Sequence, residues 1–242
     1  MTKDSLLDKI VLLGTVYTIG ILMGLLLYLL KFLGTIKISG WEKFPHGRGN
    51  LIVISNHPSL LEPILVPALF FKDYIFHPFK LSPWSTPDKT NYYDRWYWFW
   101  LRPRAIPIDR TDKRAELKAF FKMKKILSSG GRIVFFPEGG RTFKGNDFFY
   151  SQKGKRIRTL KEGAGLLIAK TKALILPIWV EGTDQVLPNS PDPEKLYYTF
   201  PRIWKKITIK IGDPLKFEEG NQKEEITQKL VTTLLKLADE PC

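Results

Sequence analysis

Residues 10–30 read IVLLGTVYTIGILMGLLLYLL, a run without one charged side chain. An α-helix needs about 20 apolar residues to cross a hydrocarbon core, so this run points to lipid contact. Two other readings compete with it. A secretory signal carries a shorter apolar region followed by a small-x-small cleavage site, whereas here Lys31, Phe32 and Leu33 follow directly. A core helix of a water-soluble domain would be shorter and apolar on one face. The expectation is a membrane-associated helix over residues 1–34 and one folded domain over residues 35–242. Flanking charge is sparse, with Lys3, Asp4, Asp8 and Lys9 before the run and Lys31 and Lys37 after it. The positive-inside bias puts the domain on the cytoplasmic side. A helix dipping into one leaflet fits the same run.

The chain has 242 residues, the size of one domain, and no Gly-, Ser- or Pro-rich linker divides it. Its single cysteine, Cys242, excludes an internal disulfide framework and any multi-cysteine metal site, and suits a reducing compartment. A formal charge of +14 favours an anionic partner: a membrane surface, a nucleic acid, an acidic protein or a phosphorylated substrate.

After Gly34, short apolar runs alternate with amphipathic stretches, the pattern of an α/β domain with helices covering a buried sheet. Strands are predicted over residues 35–39, 51–55, 74–77, 105–108, 132–136, 174–180 and 206–211. The runs at 51–54 and 133–136 are apolar on both faces and mark central strands. Leu117, Phe120, Met123 and Leu127 recur at helical spacing before Gly130 and Gly131. A last helix is predicted from Asn221, with Glu224 as capping-box partner and Ile226, Leu230, Leu234 and Leu237 on one face.

In open α/β sheets, ligands bind beyond the carboxyl ends of strands. Three such places are unusually polar: Asn56-His57-Pro58-Ser59-Leu60-Leu61-Glu62, Asp109-Arg110, and Pro137-Glu138-Gly139-Gly140-Arg141-Thr142. Pro58 is suited to open the helix that follows, which puts Glu62 in its second turn. From there Glu62 can reach back to one nitrogen of His57, leaving the other free to take a proton from a substrate hydroxyl. A histidine that only closes a strand–helix turn has the same spacing. Arg110 and Arg141 are candidate phosphate ligands, since guanidinium forks bind phosphate oxygens bidentately. Either is equally explained as a surface ion-pair residue. Gly139 and Gly140 let the backbone approach an anion, and Glu138 is placed to accept from an acceptor hydroxyl or to hold Arg141. With only His46, His57 and His77 and no His-Glu-x-x-His pair, no metal site is expected. No cofactor is expected either. A covalent nucleophile is poorly supported, because there is no Gly-x-Ser-x-Gly elbow and Cys242 is terminal. No Gly-x4-Gly-Lys-Ser/Thr loop for a nucleoside triphosphate is present.

Taken in order, four blocks resemble the lysophospholipid acyltransferase superfamily, in particular bacterial 1-acyl-sn-glycerol-3-phosphate acyltransferases. Residues 56–62 resemble the family's His-x4-Asp block, Ile106-Pro107-Ile108-Asp109-Arg110 its second and Phe136-Pro137-Glu138-Gly139-Gly140-Arg141-Thr142 its third. Leu176-Pro177-Ile178-Trp179-Val180-Glu181-Gly182 resembles its fourth. The likeness runs over roughly residues 36–213. It implies a largely parallel mixed sheet covered by helices, and direct acyl transfer with His57 as general base and Glu62 as its carboxylate. It also implies an acceptor held by Arg110, Glu138, Gly139, Gly140 and Arg141, with Lys80 matching the family's further lysine. The implied donor is an acyl-CoA or acyl-carrier-protein thioester, the acceptor a lysophospholipid, and the location the cytoplasmic face of the bacterial inner membrane. Glu62 stands where the glycerolipid enzymes carry Asp, and Gly140 where they carry Thr. A Glu resembles the pattern of lipid A acyltransferases, so a glycolipid or other hydroxyl lipid is the alternative acceptor.

Residues 80–104 are longer and more aromatic than the corresponding family segment, and residues 70–100 are rich in aromatic side chains. Trp84, Tyr92, Tyr93, Trp96, Tyr97, Trp98, Phe99 and Trp100 suit a membrane interface or an acyl groove as well as core packing. The clusters Lys153, Lys155, Arg156, Arg158 and Arg202, Lys205, Lys206 suit anionic headgroups or an acidic carrier protein, or form a solvated basic face. A basic membrane tether or a nucleic-acid-binding domain is the non-enzymatic rival. The apolar N-terminus and the four ordered blocks argue against nucleic acid.

Overall fold

The structure, a computed structural model, describes residues 5–190, 200–218 and 220–242. The N-terminal run becomes one long helix, α1 (Leu6–Phe32). Ser5 caps it: its hydroxyl accepts from the Asp8 N–H, and Asp8 accepts from the Ser5 N–H. A π-type turn over Val16–Gly20 interrupts the helical ladder, and the helix docks around it. Thr15 Oγ1 donates to the Trp100 carbonyl at 3.1 Å, the Tyr17 hydroxyl to the Ile75 carbonyl at 3.1 Å, and the Tyr74 hydroxyl to the Gly20 carbonyl at 2.9 Å. One turn on, any Cβ at Gly24 would strike the Phe71 ring. Leu12, Val16 and Leu27 are buried along this seam, while Leu22, Leu25 and Leu29 stay exposed.

The body follows as β1 (Ile36–Ser39), β2 (Leu51–Ser55), α2 (Glu62–Ala68), α3 (Phe71–Phe76), α4 (Pro78–Leu81), α5 (Lys113–Ser128) and β3 (Arg132–Phe135). Then come β4 (Phe148–Tyr150), β5 (Arg156–Arg158), α6 (Glu162–Ala169), β6 (Leu174–Glu181), α7 (Thr183–Val186), β7 (Ile207–Ile211) and α8 (Lys223–Asp239). Five strands form a mixed sheet in the order β1-β7-β6-β2-β3. β6, β2 and β3 are mutually parallel; β7 runs antiparallel to β6, and β1 parallel to β7. Alternation divides the core in two. Ile52, Ile54 and Ile133 pack with the buried faces of α5, α6 and α8, whereas Leu51, Val53 and Val134 pack with Phe70, Tyr74 and the buried face of α1.

Several expectations need correction. Residues 74–77 are not a strand: Phe70, Phe71 and Tyr74 repeat at helical spacing and pack inward, so α3 forms there. Residues 105–108 are extended but make only isolated parallel bridges, Ala105 to Ser85 and Ile108 to Asp88, while Trp84 bridges Ile133 and covers the β3 edge. The helix after His57 begins at Glu62, not Pro58, because Ser59 spends its N–H and hydroxyl on the Glu62 carboxylate. Leu117 is exposed; Ala119, Met123, Ile126 and Leu127 are the buried stripe of α5. The cap of α8 lies one residue later than expected, at Gln222 paired with Glu225. The β4–β5 hairpin, turning through Gly154 at φ 75°, was not expected from the sequence.

Arg132 opens β3 with a fully buried guanidinium. Its Nη1 donates to Asp73 Oδ2 at 2.6 Å and its Nε to the Arg48 carbonyl at 2.6 Å, and it lies 5.1 Å from the Phe70 ring centre. Asp73→Ala strands this cation and is expected to cost about 3 kcal/mol of stability, read as a lower urea midpoint. An unchanged midpoint would show that the pair carries no stability.

Candidate active site

Because β2, β3 and β6 are parallel, their carboxyl ends share one edge of the sheet. The His57 and Glu138 loops both leave from it. Asn56 fixes the first: its Nδ2 donates to the Val180 carbonyl and its Oδ1 accepts from the Val180 N–H, both at 2.8 Å. This side-chain amide thus replaces a strand rung and sets where the next residue points.

His57 is held on four sides. Its N–H donates to Glu138 Oε1 at 2.7 Å, and its carbonyl accepts from the Thr142 N–H at 2.8 Å. The ring stacks on Phe136 with centroids 4.6 Å apart. Nδ1 lies 2.9 Å from Glu62 Oε2, and Nε2 has no hydrogen-bond partner among the described residues. Glu62 is fully buried and also accepts from the Ser59 N–H at 2.9 Å and the Ser59 hydroxyl at 3.1 Å. Glu62 therefore reaches the imidazole from the first position of α2, and its fixed oxygens favour the Nδ1–H tautomer with Nε2 as the open base.

The residues of the second loop divide between framework and site. Glu138 does not face the cleft: it is fully buried, Oε1 accepts from His57 and from Thr142 Oγ1 at 2.9 Å, and Oε2 accepts from the Arg158 N–H at 3.0 Å. Burial pushes its carboxyl above the ordinary range, and these donors pull it back. With both oxygens committed, Glu138 ties the His57 loop to β5, and the expectation that it contacts an acceptor is replaced by this positioning role. Gly139 sits at φ 67°, the left-handed region that favours glycine. Arg141 is largely buried, donates to Asn189 Oδ1 at 3.2 Å and lies 4.9 Å from the Phe143 ring centre. Burial lowers its pKa, while the charges of Tyr92 and Glu62 oppose that shift. Asn189 in turn donates to the Pro58 carbonyl at 2.7 Å.

Arg110 is exposed, and its Nη1 lies 4.0 Å from the Cβ position of Gly140. The adjacent Asp109 is already engaged. Hydrogen bonds from Thr111 and then from Lys89, at 3.2 Å, hold its carboxyl down to about 2. Lys80 is not brought to this group; it lies exposed on α4, which precedes the Trp84 bridge at the opposite, amino end of β3. His57, Glu62, Arg110, Gly139, Gly140 and Arg141 thus gather at one edge. Asn56, Phe136, Thr142 and Asn189 were missed, because an amide clamp and a ring platform leave no spacing signal. Beside the loops, a cleft of ≈340 Å³ is lined by Asn56, Pro58, Thr142, Trp179, Asn189 and Lys206, among others.

The chain is similar to known proteins in sequence and in fold. The family model described as Acyltransferase matches residues 35–181. The chain is 26% identical over 157 residues to the chloroplastic 1-acyl-sn-glycerol-3-phosphate acyltransferase LPAT1 of Arabidopsis thaliana, covering 65% of this chain and 39% of that protein. It is 25% identical over 161 residues to a 1-acyl-sn-glycerol-3-phosphate acyltransferase of Chlamydomonas reinhardtii, covering 66% of this chain and 42% of that one. The chain thus matches about two-fifths of the length of these relatives. The fold is similar to the crystal structure of the 1-acyl-sn-glycerophosphate acyltransferase PlsC from Thermotoga maritima. The TM-score is 0.57 at 18% identity, over 86% of this chain and 74% of that one.

Proposed function

This chain belongs to the acyltransferase family, and from that premise we propose that it moves an acyl group from an acyl-CoA or acyl-carrier-protein thioester to the free hydroxyl of a lysophospholipid such as 1-acyl-sn-glycerol 3-phosphate. The observation that carries the reading is the His57–Glu62 pair, with Nδ1 engaged at 2.9 Å and Nε2 open, at the sheet edge where the Arg110 and Arg141 loops also meet. Nε2 takes the hydroxyl proton as the acceptor oxygen attacks the thioester carbonyl carbon. Glu62 stabilises the imidazolium. Collapse of the tetrahedral intermediate breaks the carbon–sulfur bond, and the thiolate takes the proton from Nε2, leaving an ester, a thiol and neutral His57. No acyl-enzyme is required.

Residues 1–34 are proposed as the membrane-associated segment and residues 35–242 as the catalytic domain. The body covers one side of α1 along Leu12–Leu27, while Leu22, Leu25, Leu29 and nearby Phe79, Trp96 and Phe99 remain exposed. A helix docked in this way offers lipid one face, which suits a seat in one leaflet on the cytoplasmic face of a bacterial inner membrane. Purified protein incubated with acyl thioesters and a panel of lysolipids, with products identified by mass spectrometry, tests the proposal. The expected result is acylated lysophosphatidic acid. Transfer only to glycolipid acceptors would favour the alternative that Glu62 raises, and no transfer across the panel would refute the proposal.

A further inference from the structure

Arg158 does not share the situation of the basic cluster in which its sequence sets it. Lys153 donates to the Asp239 carbonyl at 2.7 Å, Lys155 pairs with Glu181 at 3.0 Å, and Arg156 lies 4.6 Å from the Phe148 ring centre. Arg158 has no acidic partner among the described residues, yet its path is closely specified. Its N–H shares the Glu138 carboxylate with the His57 N–H, so one buried group binds its backbone to that of the general base. Two glycines then make room for its side chain. A Cβ at Gly145 would lie 2.5 Å from Arg158 Nε and 2.6 Å from its Cγ, and a Cβ at Gly140 would lie 3.0 Å from its Nη1. The same point at Gly140 is 4.0 Å from Arg110 Nη1, and Arg110 also lacks an acidic partner among the described residues.

Two guanidiniums aimed at one glycine repel each other unless an anion lies between them. Their planar forks match phosphate oxygens, and a compact, doubly charged group bound by both would relieve that repulsion. We infer that Arg158, together with Arg110, clamps the phosphate monoester of the acceptor, and that Gly140 is the residue that admits Arg158 to the site. Arg158 thereby becomes a substrate-binding residue that selects phosphorylated over uncharged acceptors. The inference rests on the acyl transfer proposed above.

The test uses the full chain, with wild type, Arg158→Gln, Arg158→Lys and Gly140→Thr. It measures KM for lysophosphatidic acid and for the thioester, kcat, and direct binding of glycerol 3-phosphate by calorimetry. Arg158→Gln is expected to raise the acceptor KM and weaken glycerol 3-phosphate binding about tenfold or more, with the thioester KM unchanged. Arg158→Lys should recover part of the loss. Gly140→Thr should act in the same direction by displacing Nη1, and adding it to Arg158→Gln should cost little more. Unchanged acceptor KM and anion affinity in Arg158→Gln, or no glycerol 3-phosphate binding by wild type, would overturn the clamp. A rise confined to the thioester KM would assign the anion to the donor and overturn it equally. A wild type that binds glycerol 3-phosphate, loses that binding in Arg158→Gln and acylates no lysolipid would instead refute the acyl-transfer reading while sustaining the clamp.

Discussion

His57→Ala is expected to lower kcat about 10²–10⁴-fold while leaving the protein folded and the acceptor KM close to that of wild type. The separation of the two effects follows from how the residue is held. The backbone bonds of His57 to Glu138 and Thr142 do not involve its ring, so truncation keeps the loop tied at 2.7 and 2.8 Å. What is lost is the ring on Phe136 and its open Nε2. Glu62→Gln gives a sharper test of the same arrangement. An amide can donate to Nδ1 where the carboxylate accepts from it, which moves the ring proton to Nε2 and blocks the base; kcat should fall by a comparable factor. The amide must also face the Ser59 N–H and hydroxyl that Glu62 now accepts from. Circular dichroism and melting curves alongside steady-state rates check both variants. Near-normal kcat in folded His57→Ala would remove His57 from the chemistry.

The sheet was legible where burial is two-sided. Residues 51–54 and 133–136 both read as central strands because they are apolar on both faces; β2 does lie inside the sheet, whereas β3 is its edge strand, buried because Trp84 bridges Ile133 and covers it. The sequence was misleading where an aromatic-rich run serves both periods: residues 74–77 read as a strand until Phe71 is seen packing on Gly24 of α1, a partner about fifty positions away. The site was legible as blocks at strand ends, since His57, Arg110 and Arg141 follow apolar runs. What no spacing could reveal is which polar groups face inward. Glu138 and Arg141 are three residues apart, yet the first is sealed beneath the loop, holding the His57 N–H, and the second turns to Asn189. Asn189, more than 130 positions after Pro58, completes the loop through one hydrogen bond that only tertiary structure creates. The basic cluster at 153–158 read as one surface because charge was counted without partners; the partners separate Arg158 from the rest.

Glu138→Ala is expected to cost about 3–5 kcal/mol, because it strands three donors at once: the His57 N–H, the Thr142 hydroxyl and the buried-side N–H of Arg158. A residue that merely contacted an acceptor would behave differently, raising KM with little change in stability. Here the urea midpoint should drop, and kcat should fall as well, since the His57 loop loses the bond that fixes its backbone. The pH dependence adds an independent readout. Burial raises the folded pKa of Glu138 above its ordinary carboxylate value, so the folded state holds a proton that the unfolded chain has already released. Across that interval the group's contribution to stability declines as pH rises. Glu138→Gln, which cannot titrate, should lack this part of the slope while still losing stability, because its amide turns a donor toward the N–H groups that the carboxylate accepted from. Wild-type stability in Glu138→Ala with a raised acceptor KM would return Glu138 to the acceptor site and leave the His57 loop to be held by its remaining bonds to Thr142, Asn189 and Glu62 and by the Asn56 clamp.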